Sequence, residues 1–496
     1  MGLKNKIKSI FVGNGAATNS LYLMFVSMIT TIIGIVVSKL LSVNFSLEEY
    51  GTYSQALLVS STVASFTILG LSNATNYFYN RLSNDEERNK YISTIFTIQR
   101  IIGFLSGVII VCLRNVLSSV FHNDRLPVYI VVIAFTPVMN NLLAMYQTLF
   151  VSIGKAKTIA FRNFAVSLTK LVAVIFAAFV TNNIVTVLVV ILAMDIVQVA
   201  YFHFLFGKYR TPVSVRKADY HIIPEILRFC IPLSIYTLTG SLSNDLDKYV
   251  VAFFADTEAL AIYTNAAKRL PFDILTASFI TILIPIITRF LGERNYSKAK
   301  DVFKLYLQLG YVGTFVVGGG ALVLAKPLMC FLYDEKYLAG LSVFAIYIFI
   351  EMLRFANITI ILTAAGKTKI LMIVSIIELA LNAVCNVFMY RLLGIAGPAL
   401  TTLFLTILTI AILLRTGAKE LRTSMFSLFD WKKMLMVIGE IVLIALPINY
   451  FSALIQNVSG SYSLSFVISY LVYFAVIGSI NAKSVLNCIK ELNSYR

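Results

Sequence analysis

Leu47-Glu48-Glu49-Tyr50-Gly51-Thr52-Tyr53-Ser54-Gln55-Ala56 returns, altered but without a gap, as Thr257-Glu258-Ala259-Leu260-Ala261-Ile262-Tyr263-Thr264-Asn265-Ala266. Glu48, Tyr53 and Ala56 recur as Glu258, Tyr263 and Ala266, while Ser changes to Thr, Gln to Asn and Gly to Ala. Both copies run through an apolar segment of helical length and end in a charged loop, Arg81 to Lys90 in the first and Arg289 to Lys300 in the second. Gly154-Lys155-Ala156-Lys157 and Gly366-Lys367-Thr368-Lys369 repeat at nearly the same offset, about 210 residues. The chain reads as two homologous halves.

Of the 496 residues, 58% are hydrophobic and only 13% charged, about half the charged share of a soluble domain. Long uncharged runs such as Leu21 to Ser38, Ile184 to Met194 and Tyr311 to Ala325 alternate with short basic loops, the pattern of an all-α, polytopic membrane protein. Cys112, Cys230, Cys330, Cys385 and Cys488 have no CxxC spacing, and His122, His203 and His221 are far apart. Neither a disulfide framework nor a metal site is implied, and no cofactor is expected. Lys4, Lys6 and Lys8 precede a first apolar run that is too long for a signal peptide, so it reads as a retained span.

A requirement of roughly 20 apolar residues per span gives fourteen, at about 19–41, 54–76, 92–113, 127–151, 159–181, 184–206, 229–253, 260–287, 305–325, 339–364, 370–390, 395–415, 435–456 and 463–481. An even number puts both termini on one side. With the amino terminus cytoplasmic, inward loops carry most of the 41 Lys and Arg and outward loops about 5, as the positive-inside rule demands. The formal charge of +17 thus lies along a membrane face, which excludes a nucleic-acid partner. The expected organisation is a six-helix bundle over 1–206, a cytoplasmic linker over 207–228 broken by Pro212 and Pro224, a second bundle over 229–416, and two additional helices with a tail over 417–496. Bundles with an even number of crossings are parallel repeats about an axis along the membrane normal. Trp431, beside Lys432 and Lys433, reads as an interfacial anchor.

Ionisable side chains inside spans cost roughly 2.5–3.5 kcal/mol each at the helix centre, so each needs a partner or a wet cavity. The first half contributes Arg100, Lys170 and Asp195; the second contributes Asp245, Asp247, Lys248, Lys268, Arg269, Asp273, Glu351, Arg354 and Glu378. Lys39 and Lys248 lie near span ends and have snorkelling as the simpler account. Glu351 and Arg354, three apart, are also readable as a structural pair, and Asp247 as a partner of Lys248 or of a charge on the other half. The cations of the first half outnumber its acids, which points to an aqueous, cationic cavity between the halves. Gly318-Gly319-Gly320 follows no strand and precedes no Lys-Ser/Thr, so it is expected to permit close helix packing instead of holding phosphate. Pro271 and Pro285 are expected to kink span eight.

Glu48-Glu49-Tyr50-Gly51-Thr52-Tyr53, Gly70-Leu71 with Ala74, Gly366-Lys367-Thr368-Lys369 and Leu393-Gly394-Ile395-Ala396-Gly397-Pro398-Ala399, in this order and spacing, resemble the Wzx-type polysaccharide and O-antigen flippases. These belong to the multidrug/oligosaccharidyl-lipid/polysaccharide exporter superfamily. The likeness covers nearly the whole chain, with Gly397-Pro398-Ala399 standing where the family has Gly-Ala-Ala. The resemblance implies alternating access in a bacterial inner (plasma) membrane. The cargo would be an undecaprenyl-diphosphate-linked oligosaccharide repeat unit for O-antigen or capsule, moved from the cytoplasmic to the outer leaflet. On that reading Arg100, Lys170, Lys248, Lys268, Arg269 and Arg354 bind substrate through charge-assisted hydrogen bonds. Asp195, Asp247, Glu351 and Glu378 would carry a coupling proton or sodium ion. A polysaccharide polymerase is a conceivable partner.

A drug or cation antiporter of the same superfamily would be expected to have an acidic, aromatic cavity instead. A peptidoglycan lipid flippase shares the plan and differs in headgroup. An integral-membrane polymerase or acyltransferase needs an outward catalytic loop or an acid/base centre, and the outer loops are too short to fold as one, so an enzyme is not expected.

Overall fold

The computed structural model describes residues 16–210, 213–272, 276 and 279–495. Lys4, Lys6, Lys8, Pro212 and Asp273 lie outside them. The chain forms two compact units, one through Asp245 together with Ala255–Ala261, the other comprising Leu246–Phe254 and everything from Ile262. The described residues are helical with short connections and contain no strand.

The first unit contains α1 (Ala16–Asn44), α2 (Leu47–Thr67), α3 (Leu71–Arg81), α4 (Asp85–Cys112), α5 (Arg114–Val120), α6 (Leu126–Ile133), α7 (Thr136–Ser152), α8 (Ala156–Phe176) and α9 (Val185–Tyr209). α10 (Ile223–Phe254) and α11 (Thr257–Ala266) each contribute to both units. The second unit continues with α12 (Ile280–Gly292), α13 (Tyr296–Val323), α14 (Ala325–Leu332), α15 (Leu341–Leu353), α16 (Ile360–Ala364), α17 (Thr368–Leu393), α18 (Ala396–Glu420), α19 (Trp431–Ser459) and α20 (Tyr462–Ser494). Among the described residues, 11 helical stretches are long and apolar enough to cross a membrane, and Ile29–Asn44 and Leu283–Gly292 are shorter apolar helices. The chain is an all-helical multi-pass membrane protein.

The repeat is visible in local geometry. Ser46 caps α2 through a reciprocal box with Glu49, and Asp256 caps α11 by accepting the Ala259 N–H at 2.7 Å. Tyr53 and Ala56, and their counterparts Tyr263 and Ala266, are all buried. Asn84 and Asn295 cap the helices after the two charged loops. Gly154 at φ +75° and Gly366 at φ +70° close equivalent helices in the left-handed region that favours glycine. Behind them the Lys155 N–H reaches Phe150 O and the Lys367 N–H reaches Leu362 O, each at 2.8 Å.

α7 is the axis of the first unit, packed against α2, α3, α4 and α9. Lipid is as apolar as leucine, so burial alone cannot drive these contacts; close approach and interhelical hydrogen bonds do. Gly103 of α4 lies where any β-carbon would strike Val138, and Asn141 of α7 donates to Thr67 Oγ1 and Ala64 O, each at 3.0 Å. The linker over 207–228 does not hang free. Val213 enters the core, Ser214 N–H reaches Ser93 Oγ at 3.2 Å, and Asp219 N–H reaches Thr94 Oγ1 at 2.9 Å. Pro224 falls in the first turn of α10, where its missing N–H costs nothing, so it starts that helix instead of breaking one. Pro398 occupies the same kind of position in α18, which explains why the departure from Gly-Ala-Ala is tolerated.

α13 is the axis of the second unit, against α15, α19 and α20. The three glycines expected to permit close packing do so: β-carbons at Gly318, Gly319 and Gly320 would run into Met352, Ile441 and Tyr473. The two additional C-terminal helices thus seat on α13, and Tyr470 O–H adds a hydrogen bond to Val317 O at 3.0 Å. Trp431 opens α19 with its indole N–H on Phe426 O at 2.8 Å.

Expected spans eight and ten are interrupted by six or more non-helical residues, whereas spans two and four break only over 68–70 and 134–135. Span eight does not bend at Pro271: helix ends at Ala266, residues 267–272 are non-helical, and α12 follows. The helix ends five residues before Pro271, which lacks the N–H that a continuing helix would need there. Pro285, in contrast, sits inside α12, which continues through it. Span ten likewise stops at Leu353 and resumes at Ile360. Asn357 Oδ1, accepting the Thr359 N–H at 3.0 Å, offers the backbone a turn in place of helix. Freed carbonyls at such depth must be satisfied within the protein. Thr314 Oγ1 donates to Phe272 O at 3.3 Å and Thr276 Oγ1 to Phe355 O at 3.1 Å.

Candidate functional site: intramembrane charge clusters

In the first unit α8 and α9 bring together Arg162, Lys170, Asp195 and Gln198. Arg162 Nε–H donates to Gln198 Oε1 at 2.7 Å, and Gln198 Nε2 to Asp195 Oδ1 at 3.4 Å. Asp195 and Gln198, three apart, share one face of α9. Asp195 is buried, and Lys170 acts on it electrostatically without closing an ion pair among the described residues. Arg162 and Gln198 escape a search for charges at mid-span, because Arg162 sits close to the inner end of its helix. The polar spacing Asp195-x-x-Gln198 was the available signal.

Arg100 stands apart from this cluster. It lies against Tyr146, whose hydroxyl is 2.9 Å from His203 Nδ1, so His203 is not isolated. Arg100 also lines a groove of about 480 Å³ whose other walls, including Ile101, Phe104, Phe135 and Met139, are apolar.

In the second unit the charges gather at the two helix breaks. Glu351 Oε1 is 3.1 Å from Arg354 Nη1 and 3.7 Å from Arg269 Nε. Glu351 is nearly buried at 11% side-chain exposure, Arg354 is 29% exposed and Arg269 54%. Arg354 Nη2 reaches Thr406 Oγ1 at 3.5 Å. Lys268, half-buried, precedes Arg269 on the same non-helical stretch. Arg354 and Glu351 form the i, i+3 pair legible in sequence, and the fold adds Arg269 to it.

Asp247 is buried and takes hydrogen bonds on both carboxylate oxygens. Its Oδ2 accepts Tyr263 O–H at 2.9 Å and also Tyr347 O–H, while Oδ1 accepts the Lys248 backbone N–H at 2.8 Å. Tyr263 is the repeated tyrosine of the opening motif. Half-buried Lys248 follows on the same helix, and Glu378 of α17 accepts from Thr409 Oγ1 at 3.1 Å, within electrostatic reach of Arg354. Among the described residues no group of three His, Cys, Asp or Glu is placed to hold a metal ion.

A third polar feature is uncharged. Asn73, Asn76 and Asn80 of α3 and Asn140 and Gln147 of α7 are exposed on the first unit. Asn76 lies five residues inside the Arg81 end of its helix, about 7 Å by helical rise. Exposed carboxamides are costly against hydrocarbon and are favoured where water or a polar ligand reaches them.

Membrane-length helices, two of them interrupted beside charged side chains, define a polytopic helical membrane protein. The fold matches a series of solved structures over most of their length, these three among them. A "Lipid II flippase MurJ, inward closed conformation" aligns with TM-score 0.72 at 15% identity over 94% of this chain and 100% of that one. An inward-facing multidrug resistance MATE family transporter of the MOP superfamily aligns with TM-score 0.66 at 12% identity, covering 81% and 98%. A MOP superfamily transporter from Pyrococcus furiosus aligns with TM-score 0.50 at 14% identity, covering 81% and 94%. The family model described as "Polysaccharide biosynthesis protein" matches residues 36–342, and the chain belongs to that family. Comparison with curated proteins gave no match.

Proposed function

We propose that this protein is a flippase, not an enzyme, that moves undecaprenyl-diphosphate-linked oligosaccharide repeat units from the cytoplasmic to the outer leaflet of a bacterial plasma membrane. Both termini would be cytoplasmic, transport would proceed by alternating access, and no cofactor would be needed. The observation that carries the reading is the charge count of the intramembrane clusters. Arg162 and Lys170 face one carboxylate, Asp195, whereas Arg269 and Arg354 face Glu351 together with Asp247 and Glu378. The first-unit cluster thus keeps an excess of positive charge suited to a diphosphate, which guanidinium and ammonium groups hold by charge-assisted hydrogen bonds. Membership of a polysaccharide biosynthesis family supplies the sugar, and a fold shared with a lipid II flippase is consistent with a lipid-linked cargo.

Asp247 favours a second reading. A deep carboxylate held by two tyrosine hydroxyls suits a coupling proton or sodium ion, which a drug antiporter of this fold would also use. A deletion strain decides between them. Lipid-linked oligosaccharide should accumulate on the cytoplasmic leaflet and surface polysaccharide should vanish, both restored by the wild-type gene. Unchanged surface polysaccharide together with lost export of a cationic dye would replace the flippase with the antiporter; lysis on depletion would point to the peptidoglycan precursor.

A further inference from the structure

The cation cluster of the first unit suits a diphosphate, but the uncharged face of that unit has another chemistry. Between α3 and α7 lies a cleft of about 370 Å³ lined by Ser72, Asn76, Ala144, Gln147, Thr148 and Val151. That volume is in the range of small-molecule sites, and none of these residues is charged. Its polar wall is partly knit together. The Ser72 and Thr148 hydroxyls are 3.0 Å apart, and Asn76 Oδ1 accepts Asn80 Nδ2 at 2.8 Å and Ser152 Oγ at 3.3 Å. Among the described residues this leaves Asn76 Nδ2 and the whole Gln147 carboxamide without a protein partner. Both belong to exposed side chains.

We propose that this cleft holds the sugar portion of the transported lipid at the cytoplasmic side, an inference that rests on the flippase reading above. Sugar hydroxyls donate and accept at once, as do carboxamides, so Asn76 and Gln147 pair with them without stranding a lone donor or acceptor. An acyl or prenyl chain in the cleft would leave both amides unpaired in a dry setting. A cationic drug would find neither a carboxylate nor an aromatic face there. Because the lining is neutral, the cleft ignores phosphate and sorts cargo by its sugars, while the cations hold the constant diphosphate.

The test uses the purified full-length chain in lipid nanodiscs and two synthetic probes: a short polyprenyl diphosphate carrying one N-acetylhexosamine, and the same diphosphate without sugar. Wild type should bind the sugar-bearing probe more tightly. Gln147→Met, which removes no hydrogen bond within the protein, should weaken that probe about three- to tenfold and leave the sugar-free probe unchanged. Asn76→Leu combined with Gln147→Met should weaken it further. Equal wild-type affinity for the two probes, or an equal loss for both in Gln147→Met at unchanged melting temperature, overturns the sugar cleft and leaves the flippase standing. Failure of wild type to bind either probe removes the flippase reading and this inference with it.

Discussion

Arg354 Nη1 lies 3.1 Å from Glu351 Oε1, one helical turn away and at the point where α15 stops. The same carboxylate oxygen is 3.7 Å from Arg269 Nε on the other broken span, so one acid holds two guanidinium groups together. Glu351→Gln leaves the two cations facing each other. It should destabilise the purified protein by about 1–3 kcal/mol, the exposed Arg269 being partly screened. In a thermal-melt cycle with Arg354→Met, the coupling between 351 and 354 should reach about 1 kcal/mol; strict additivity would show the pair to be idle.

Tyr347→Phe deletes one of the two hydroxyls donated to buried Asp247 and should cost about 1–2 kcal/mol. Tyr263→Phe should behave alike, and Asp247→Leu should cost more than either because it strands both hydroxyls. Melting temperatures in detergent order the three.

Arg162→Gln and Lys170→Gln remove cations that outnumber Asp195. Each should lower flipping of a fluorescent polyprenyl-diphosphate sugar in proteoliposomes at least about tenfold, since a charge-assisted bond to phosphate contributes about 1.5–3 kcal/mol. Melting temperature should fall more in Arg162→Gln, which loses the 2.7 Å bond to Gln198, than in Lys170→Gln. Full activity in both variants would take this cluster out of substrate binding.

Gly320→Ala places a methyl group against the Tyr473 ring. Overpacking of this kind costs about 1–3 kcal/mol, and Tyr473→Ala should recover part of it by vacating the space. A cost unaffected by the second substitution would mean that α20 is not seated there.

Asp219, in the linker, is held below the ordinary carboxyl value of 3.8 by the Lys90 ammonium at 2.6 Å, and next by the His221 N–H. A depressed folded pKa stabilises above the unfolded value, so the contribution is whole above about pH 5 and fades as pH falls through the lowered pKa. The melting-temperature gap between wild type and Asp219→Asn should therefore be widest at pH 7 and close toward pH 3. A gap that widens on acidification would contradict the pairing.

Much of the site's inventory was legible before the fold, because an ionisable residue in an apolar run stands out whatever it touches. Arg100, Lys170, Asp195, Asp247, Glu351, Arg354 and Glu378 were found that way. Their partners were not, since Arg269 meets Glu351 across about 80 residues of chain and Tyr347 meets Asp247 across 100. Arg162 lies in the first two turns of α8, and the amides of the Asn73-Asn76-Asn80 stripe carry no charge, so neither stands out in an apolar run.

By itself the sequence determined the membrane class, the doubled motif and the helix-closing glycines, all of which depend on local period, composition and backbone preference. Tertiary structure decided where spans eight and ten break, which side chains neutralise one another, and that a neutral cleft exists beside the charged clusters. Those features arise from contacts between distant segments, and a dry, low-dielectric interior makes each such polar contact too costly to leave unpaired.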